Sequence, residues 1–414
     1  MTVNYLRTLA AIAFCFGLAS VCDAQNAPAT PAADQQKPPD QTPPPPAAPT
    51  ALSAPAFAGP LSNVPPAIFD AGPFGKIAVN GIVSGVGTAQ NNPFPGDNNR
   101  HADLSNGQVF IQKTDGWFQF YIQAGVYSLP DLGLPYIGTN DTLPNFFGPV
   151  PQAYLKLQAG KNTSFEIGAL PTLIGAEYTY SFENMNIERG IVWNQENAVN
   201  RGIQVNQTMG KFTASLSWND GFYSDRYSWL WGSLAYANGP HALSFVAGGN
   251  MSQTAFQNLA TPVQNNGSIY NVIYTFTKGP WIVTPYFQYT NIPTNAKIGV
   301  VKGASTTGGA IFVSYAMKHG FSLPVRWEYL ASSGSAAQNS VNLMYGPGST
   351  GTSFTVTPTV QKGGFFVRGD LAWVHAGSYT KGAVFGPAGL DNNQFRAVGE
   401  VGFVFGNNVA EKKP

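Results

Sequence analysis

Five charged side chains crowd the stretch from Pro171 to Val199: Glu177, Glu183, Glu188, Arg189 and Glu196. Elsewhere charge is scarce, since Asp, Glu, Lys and Arg make up 10% of the 414 residues, against about 25% in soluble globular proteins. Four arginines, Arg201, Arg326, Arg368 and Arg396, fall in segments of alternating apolar and polar residues, with Asp370 and Glu400 close behind Arg368 and Arg396. Acidic groups on a loop facing basic groups on a wall would impose a transverse field on a narrow aqueous passage and sort ions by sign. The blander reading is that these charges pair with one another and keep an interior wet. The set is the better candidate than any one member.

Catalysis has weaker support. His101, His241, His319 and His375 are the only histidines, and His241 and His319 belong to short turns. His101 and His375 lie in the first and last long connections, which leaves a rim catalytic or metal site on those two as the one enzymatic reading. No Ser, His and Asn set and no pair of carboxylates has diagnostic spacing. Lys302-Gly303-Ala304-Ser305 is no phosphate loop, because no Lys-Ser or Lys-Thr follows a Gly-x-x-x-x-Gly frame. Both cysteines, Cys15 and Cys22, fall in the first 24 residues, so the rest of the chain has no thiolate nucleophile, thiolate metal ligand or disulfide. The reading is of a protein that is not an enzyme and uses no cofactor. A formal net charge of +1 without basic blocks removes the electrostatic case for nucleic acid.

The elements that would position the charges begin with a leader. Arg7, the apolar run from Leu9 to Val21 and Cys22-Asp23-Ala24 read as a signal peptide over 1–24, cleaved after Ala24. A lipidated Cys22 would want a small residue before it, and Val21 fits that poorly. Residues 25–75 read as a Pro/Ala-rich linker: 13 of the 39 residues from Pro28 to Pro66 are Pro, which favours an extended chain that adds nothing to a core.

From Lys76 the period is two. Phe118, Phe120, Ile122, Ala124 and Val126 alternate with Gln119, Tyr121, Gln123 and Gly125; Phe212, Ala214, Leu216 and Trp218 alternate with Thr213, Ser215, Ser217 and Asn219. About 16 such strands fit between residues 76 and 405. Their connections alternate between tight turns, such as Thr114-Asp115-Gly116 and Lys278-Gly279-Pro280, and long loops centred on 89–105, 128–150, 171–199, 220–227, 251–267, 291–306, 331–351 and 375–393. That asymmetry, with strands of about 9 to 11 residues, predicts an all-β fold: a transmembrane antiparallel up-and-down β-barrel. Closure satisfies every backbone donor and acceptor in lipid. Trp117 and Trp281 beside tight turns, and Trp218, Trp229, Trp231 and Trp373 near long loops, would form two interfacial girdles.

The stretches Glu166–Glu177, Asn200-Arg201-Gly202 and Leu216–Gly221 resemble the beta-barrel porin-2 family of bacterial outer-membrane proteins, with loose similarity from about Gly75 to Phe405. The resemblance implies a barrel over 76–405 and a tail over 406–414. It also implies an outer-membrane location, contact with lipid and passive diffusion of small hydrophilic solutes or ions. The long loop, third in order, resembles the one that folds into the lumen of general porins. The other reading is a closed barrel serving as an envelope scaffold or adhesin. The sequence leaves open whether three barrels associate. Many such barrels end on an aromatic, whereas Phe403 and Phe405 here are followed by Gly406 to Pro414.

Overall fold

The computed structural model describes residues 59–252 and 263–407; the expected signal peptide, most of the linker and residues 408–414 lie outside the described residues. The strands are β1 (Ala67–Asp70), β2 (Lys76–Gln90), β3 (Arg100–Lys113), β4 (Phe118–Tyr127), β5 (Gln152–Gln158), β6 (Thr163–Pro171), β7 (Val199–Met209), β8 (Phe212–Asn219) and β9 (Trp229–Asn238). They continue as β10 (His241–Asn250), β11 (Ser268–Lys278), β12 (Trp281–Ile292), β13 (Ala304–Ala316), β14 (Phe321–Ser332), β15 (Thr350–Val356), β16 (Thr359–Lys362), β17 (Phe365–Gly377) and β18 (Asn393–Phe405). A short helix α1 (Thr139–Asn145) sits in the loop between β4 and β5.

From β2 to β18 successive strands pair antiparallel, except that β15 and β16 each pair with β14 and β17 rather than with each other, and β18 closes on β2 in the register Arg396↔Gln90 to Phe405↔Gly81. The result is a closed 16-stranded antiparallel barrel in which β15 and β16 are two pieces of one strand. The break falls at Thr357-Pro358, because Pro358 has no N–H to give to the ladder. The carbonyl of Pro358 still accepts from Gly369, and Thr357 donates to the Pro324 carbonyl, so the irregularity stays hydrogen-bonded.

Burial alternates along the strands with the period of the sequence. Leu104, Val109, Ile167, Ile203, Leu216, Phe245, Phe287, Trp327, Tyr329, Val401 and Phe403 are exposed on the outer face, whereas Gln108, Gln123, Gln204, Ser217, Gln288, Arg326 and Glu328 are buried inside. This inversion of a soluble protein suits a wall with lipid outside and a polar interior. Leu216 and Ser215 are adjacent on opposite faces of β8, and the Ser215 hydroxyl donates to Asn206. Leu216→Arg is therefore expected to cost about 2 to 4 kcal/mol near the bilayer midplane, with Ser215→Arg tolerated. The folded, heat-modifiable fraction in detergent measures this, and equal losses in the two variants would contradict the face assignment.

Two tryptophans depart from the girdle expectation. Trp117, Trp218 and Trp281 are exposed, but Trp229 and Trp231 are buried, stacked at 4.9 Å between ring centroids, with their Nε1 groups donating to the Asn265 carbonyl and Asn219 Oδ1. In register they face Asn219 and Ser217, both inward, so strand parity places them inside the barrel although they sit near its loop end.

Residues 59–75, counted with the linker in the sequence reading, are structured against the barrel. β1 pairs with the first residues of β2, Ala67↔Val79 to Asp70↔Lys76, a stretch that β18 does not reach. Leu61 packs in an inward cluster with Ile82, Phe110, Phe366 and Val404. Ser62 and Gln361 exchange two hydrogen bonds of 2.7 and 2.8 Å, Asn80 donates to Asn63, and the Asn407 N–H reaches the Pro65 carbonyl. The expectation that everything before Lys76 is inert therefore fails for this part, because Leu61, with Val64 packed beside it, anchors the end of the Pro-rich stretch in the barrel's apolar cluster. Deleting 28–66 is expected to lower the thermal midpoint of the barrel in detergent, since burying one leucine is worth about 1.5 to 3 kcal/mol. Deleting 28–58 leaves these contacts in place and should not lower it; equal midpoints for both deletions would contradict the assignment.

Candidate functional site

A barrel of about 16 strands is too wide for wall side chains to fill. Here the space is occupied by the connection between β6 and β7. Residues 179–193 of that loop are all buried, and their contacts run to strands far away in sequence, so the loop lies inside the lumen. Apolar residues anchor it: Met185, Ile191 and Val192 join a cluster with Tyr286, Phe312 and Leu330, while Tyr180 and Phe182 pack among Phe110, Tyr121 and Tyr127.

Charge pairs complete the attachment on one side of the barrel. Arg326 on β14 lies 2.6 Å from Glu177 and 3.2 Å from its own-strand neighbour Glu328, and it donates to the Glu188 carbonyl at 2.7 Å. Arg396 on β18 pairs with Glu188 at 2.6 Å and donates to the carbonyls of Asp131 and Leu134. Arg368 on β17 makes two contacts to Glu400, at 2.6 and 2.9 Å, and donates to the loop carbonyls of Ser181 and Asn184. Arg189 pairs with Asp131 at 2.6 Å, donates to the Thr179 carbonyl and stacks over Trp193. Asp370 accepts from the Glu188 N–H at 2.9 Å. The Gly190 N–H donates to Glu177, and those of Ile191 and Val192 donate to Glu328. A side chain at Gly190 would run into the Glu328 carboxylate.

The structure thus brings Glu177, Glu188 and Arg189 together with Arg326, Arg368 and Arg396. It does not bring in Arg201. That residue has the parity of exposed Ile203, pairs with Asp220 at 2.9 Å and Asp225 at 3.0 Å, and stacks on Tyr223 at the loop end of the wall. Glu183 is buried but turns back on its own loop, accepting from the Tyr180 N–H at 3.2 Å. Glu328, Asp131, Tyr286, Gln288 and Asn271 went unselected from sequence. For Glu328 a signal existed: it stands two residues after Arg326 on a strand, hence on the same face. Tyr286, Gln288 and Asn271 carry no such cue, because uncharged polar residues face inward on every strand.

Glu196 is placed differently from the other acids. Its Oε1 lies 2.6 Å from the Tyr286 hydroxyl on β12, its Oε2 has no hydrogen-bond partner, and no ion pair to it is found among the described residues. Burial raises its carboxyl well above the ordinary range, with the Tyr286 hydroxyl pulling it back. Around it Asn271 on β11 donates to the Tyr286 hydroxyl and to Gln288, accepts from the Gly175 N–H, and Gln288 donates to the Val192 carbonyl.

Two cavities flank this layer. One, of about 260 Å³, opens among the loops and is lined by Asp131, Phe147, Glu196, Leu343 and Tyr345 among others. The other, of about 320 Å³, lies against β11, β12 and β13 toward the Lys278–Pro280 turn and is lined by Gly175, Glu177, Thr277, Ile282 and Phe312 among others. Buried around the loop are Arg189, Arg326, Arg368 and Arg396 against Asp131, Glu177, Glu183, Glu188, Glu196, Glu328, Asp370 and Glu400, a formal excess of acid.

The two rim histidines do not meet. His101 has the parity of buried Thr88, lies 2.9 Å from Asp97 and stacks on Tyr136, whereas His375 shares the outward parity of Trp373 and Leu371 and contacts Asn393. Opposite faces of the wall exclude a shared site. Among the described residues no group of three or more His, Cys, Asp or Glu could hold a metal ion.

A closed barrel with an apolar outer face, a polar interior and a loop folded through its lumen has the architecture of an outer-membrane porin. The chain belongs to the family described as "Putative beta-barrel porin-2, OmpL-like", whose profile it matches over residues 76–405, and it is accordingly an outer-membrane protein. Among solved structures, the fold is similar to an anion-selective porin from Comamonas acidovorans (12% identity, 80% of this chain and 99% of that one, TM-score 0.56). It is similar also to the outer membrane channel DcaP of Acinetobacter baumannii (12%, 80% and 97%, 0.55) and to OmpT of Vibrio cholerae (12%, 80% and 98%, 0.53). No curated protein matches the sequence.

Proposed function

We propose that the protein is a narrow porin that lets small hydrophilic solutes and ions diffuse passively across the outer membrane, with the loop between β6 and β7 forming the constriction. The observation that carries this reading is the loop's position: Arg326, Arg368 and Arg396 hold it inside the lumen, while a cavity remains along β11, β12 and β13. The opposed loop acids and wall arginines give the passage a transverse field, and the acidic excess favours cations. Changing Glu177, Glu183 and Glu188 together to Gln removes the loop's negative charge, including the partners of Arg326 and Arg396. The zero-current potential in a salt gradient should then move toward anions, more at low salt where screening is weaker. An unchanged potential at every salt concentration would remove the loop from the permeation path.

The continuous burial of residues 179–193 favours a second reading, a closed barrel acting as an envelope scaffold or adhesin. Planar-bilayer recording separates the two: stable open steps support the porin, and silence from folded protein supports the scaffold.

A further inference from the structure

Glu177, which lines the turn-side cavity, is matched by Arg326, and Glu188 by Arg396. Glu196 has no such partner among the described residues: it lines the loop-side cavity and has one carboxylate oxygen without a hydrogen-bond partner. Gly175 lines the turn-side cavity, and a Cβ there would overlap the Glu196 carboxylate, so a residue of one cavity's wall touches a residue of the other's. Asn271, Tyr286 and Gln288 complete a polar rim whose oxygens can replace part of a hydration shell.

We propose that Glu196, with the Asn271, Tyr286 and Gln288 side chains, forms a binding site for a monovalent cation or a primary ammonium group on the solute path. The path would run along β11 and β12 and be separate from the arginine cluster on β14, β17 and β18. This rests on the porin reading and assigns its selectivity to one carboxylate. A buried carboxylate without a counter-charge is costly and takes up a proton instead; a passing cation can displace that proton and supply the compensation that the fold withholds from Glu196 while granting it to Glu177 and Glu188. Glu196 lines the loop-side cavity and abuts Gly175, which lines the turn-side one, so an ion passing the carboxylate would have a way in and a way out, as conduction requires. At Gly175, with φ +90°, a side chain would both strain the backbone and crowd the carboxylate.

The test is the zero-current potential of the purified full-length protein in planar bilayers under a KCl gradient. Wild type should pass potassium in preference to chloride; a ratio at or below one would overturn the site without any mutation. Glu196→Gln keeps the shape and the Tyr286 contact but removes the charge, and should lower the potassium-to-chloride permeability ratio several-fold. Asp141→Asn, on exposed α1, should leave it unchanged. A conducting Glu196→Gln channel with the wild-type ratio would overturn the site and leave the porin reading standing. Wild-type barrels that are folded but never conduct would overturn both.

Discussion

Deleting residues 178–195 is expected to raise single-channel conductance several-fold, the largest functional change in this protein. Those residues fill the lumen: Tyr180 and Phe182 occupy one apolar cluster, Met185, Ile191 and Val192 another, and the main-chain groups of Ser181, Asn184 and Glu188 are bound to wall arginines. None of them contributes to the ladder that closes the barrel, which runs through β2 to β18 alone. Removing them should widen the passage while leaving Glu177 and Glu196 at the shortened ends, and the barrel should still show heat-modifiable mobility. A folded variant with wild-type conductance would place the limiting constriction elsewhere.

Arg326→Met is expected to be the most damaging single change to stability. Arg326 is fully buried between Glu177 and Glu328 and also holds the Glu188 carbonyl and Thr355. Removing one partner of a buried ion pair strands the other, at about 3 to 5 kcal/mol, and here two carboxylates are stranded together. The matched change of Arg326, Glu177 and Glu328 to Met, Gln and Gln removes that penalty and should recover most of the loss. Urea unfolding in detergent micelles measures the difference. Equal stability of Arg326→Met and wild type would mean that water or solute ions already screen this cluster.

The barrel was legible because its signal is local and repeated. The alternation through Phe118–Val126 or Phe212–Asn219 specifies both strand and face, and glycine-rich turns alternating with long loops specify how strands follow one another. The interruption at Pro358 was written in the residue itself, but its consequence, one strand in two pieces, depends on the register of β14 and β17 around it. Trp229 and Trp231 show where composition misleads: closeness to a loop suggested the membrane interface, while parity with Asn219 and Ser217 puts them inside. Arg201 shows the same conflict, an arginine near the loop whose strand parity points outward.

The site was legible in outline only. Clustering of acid between Pro171 and Val199 was visible, and so were the inward arginines. Which acid meets which arginine depends on how a loop of 27 residues between β6 and β7 folds back through the lumen, and no periodicity encodes that. The same holds for Leu61, one of a few large apolar residues in a Pro-rich stretch, whose role appears only once Ile82, Phe110, Phe366 and Val404 are gathered around it. Glu196 was one glutamate among four loop glutamates in the sequence; unlike Glu177 and Glu188 it meets no arginine among the described residues, and its hydroxyl partner Tyr286 comes from a distant strand.

Single-channel recording of the folded, full-length protein in a planar bilayer at symmetric salt tests the central claim most directly. A passage narrowed by an internal loop predicts discrete, ohmic steps of small and uniform size that scale with salt concentration. Folded, heat-modifiable barrels that insert yet carry no current at any potential would contradict it.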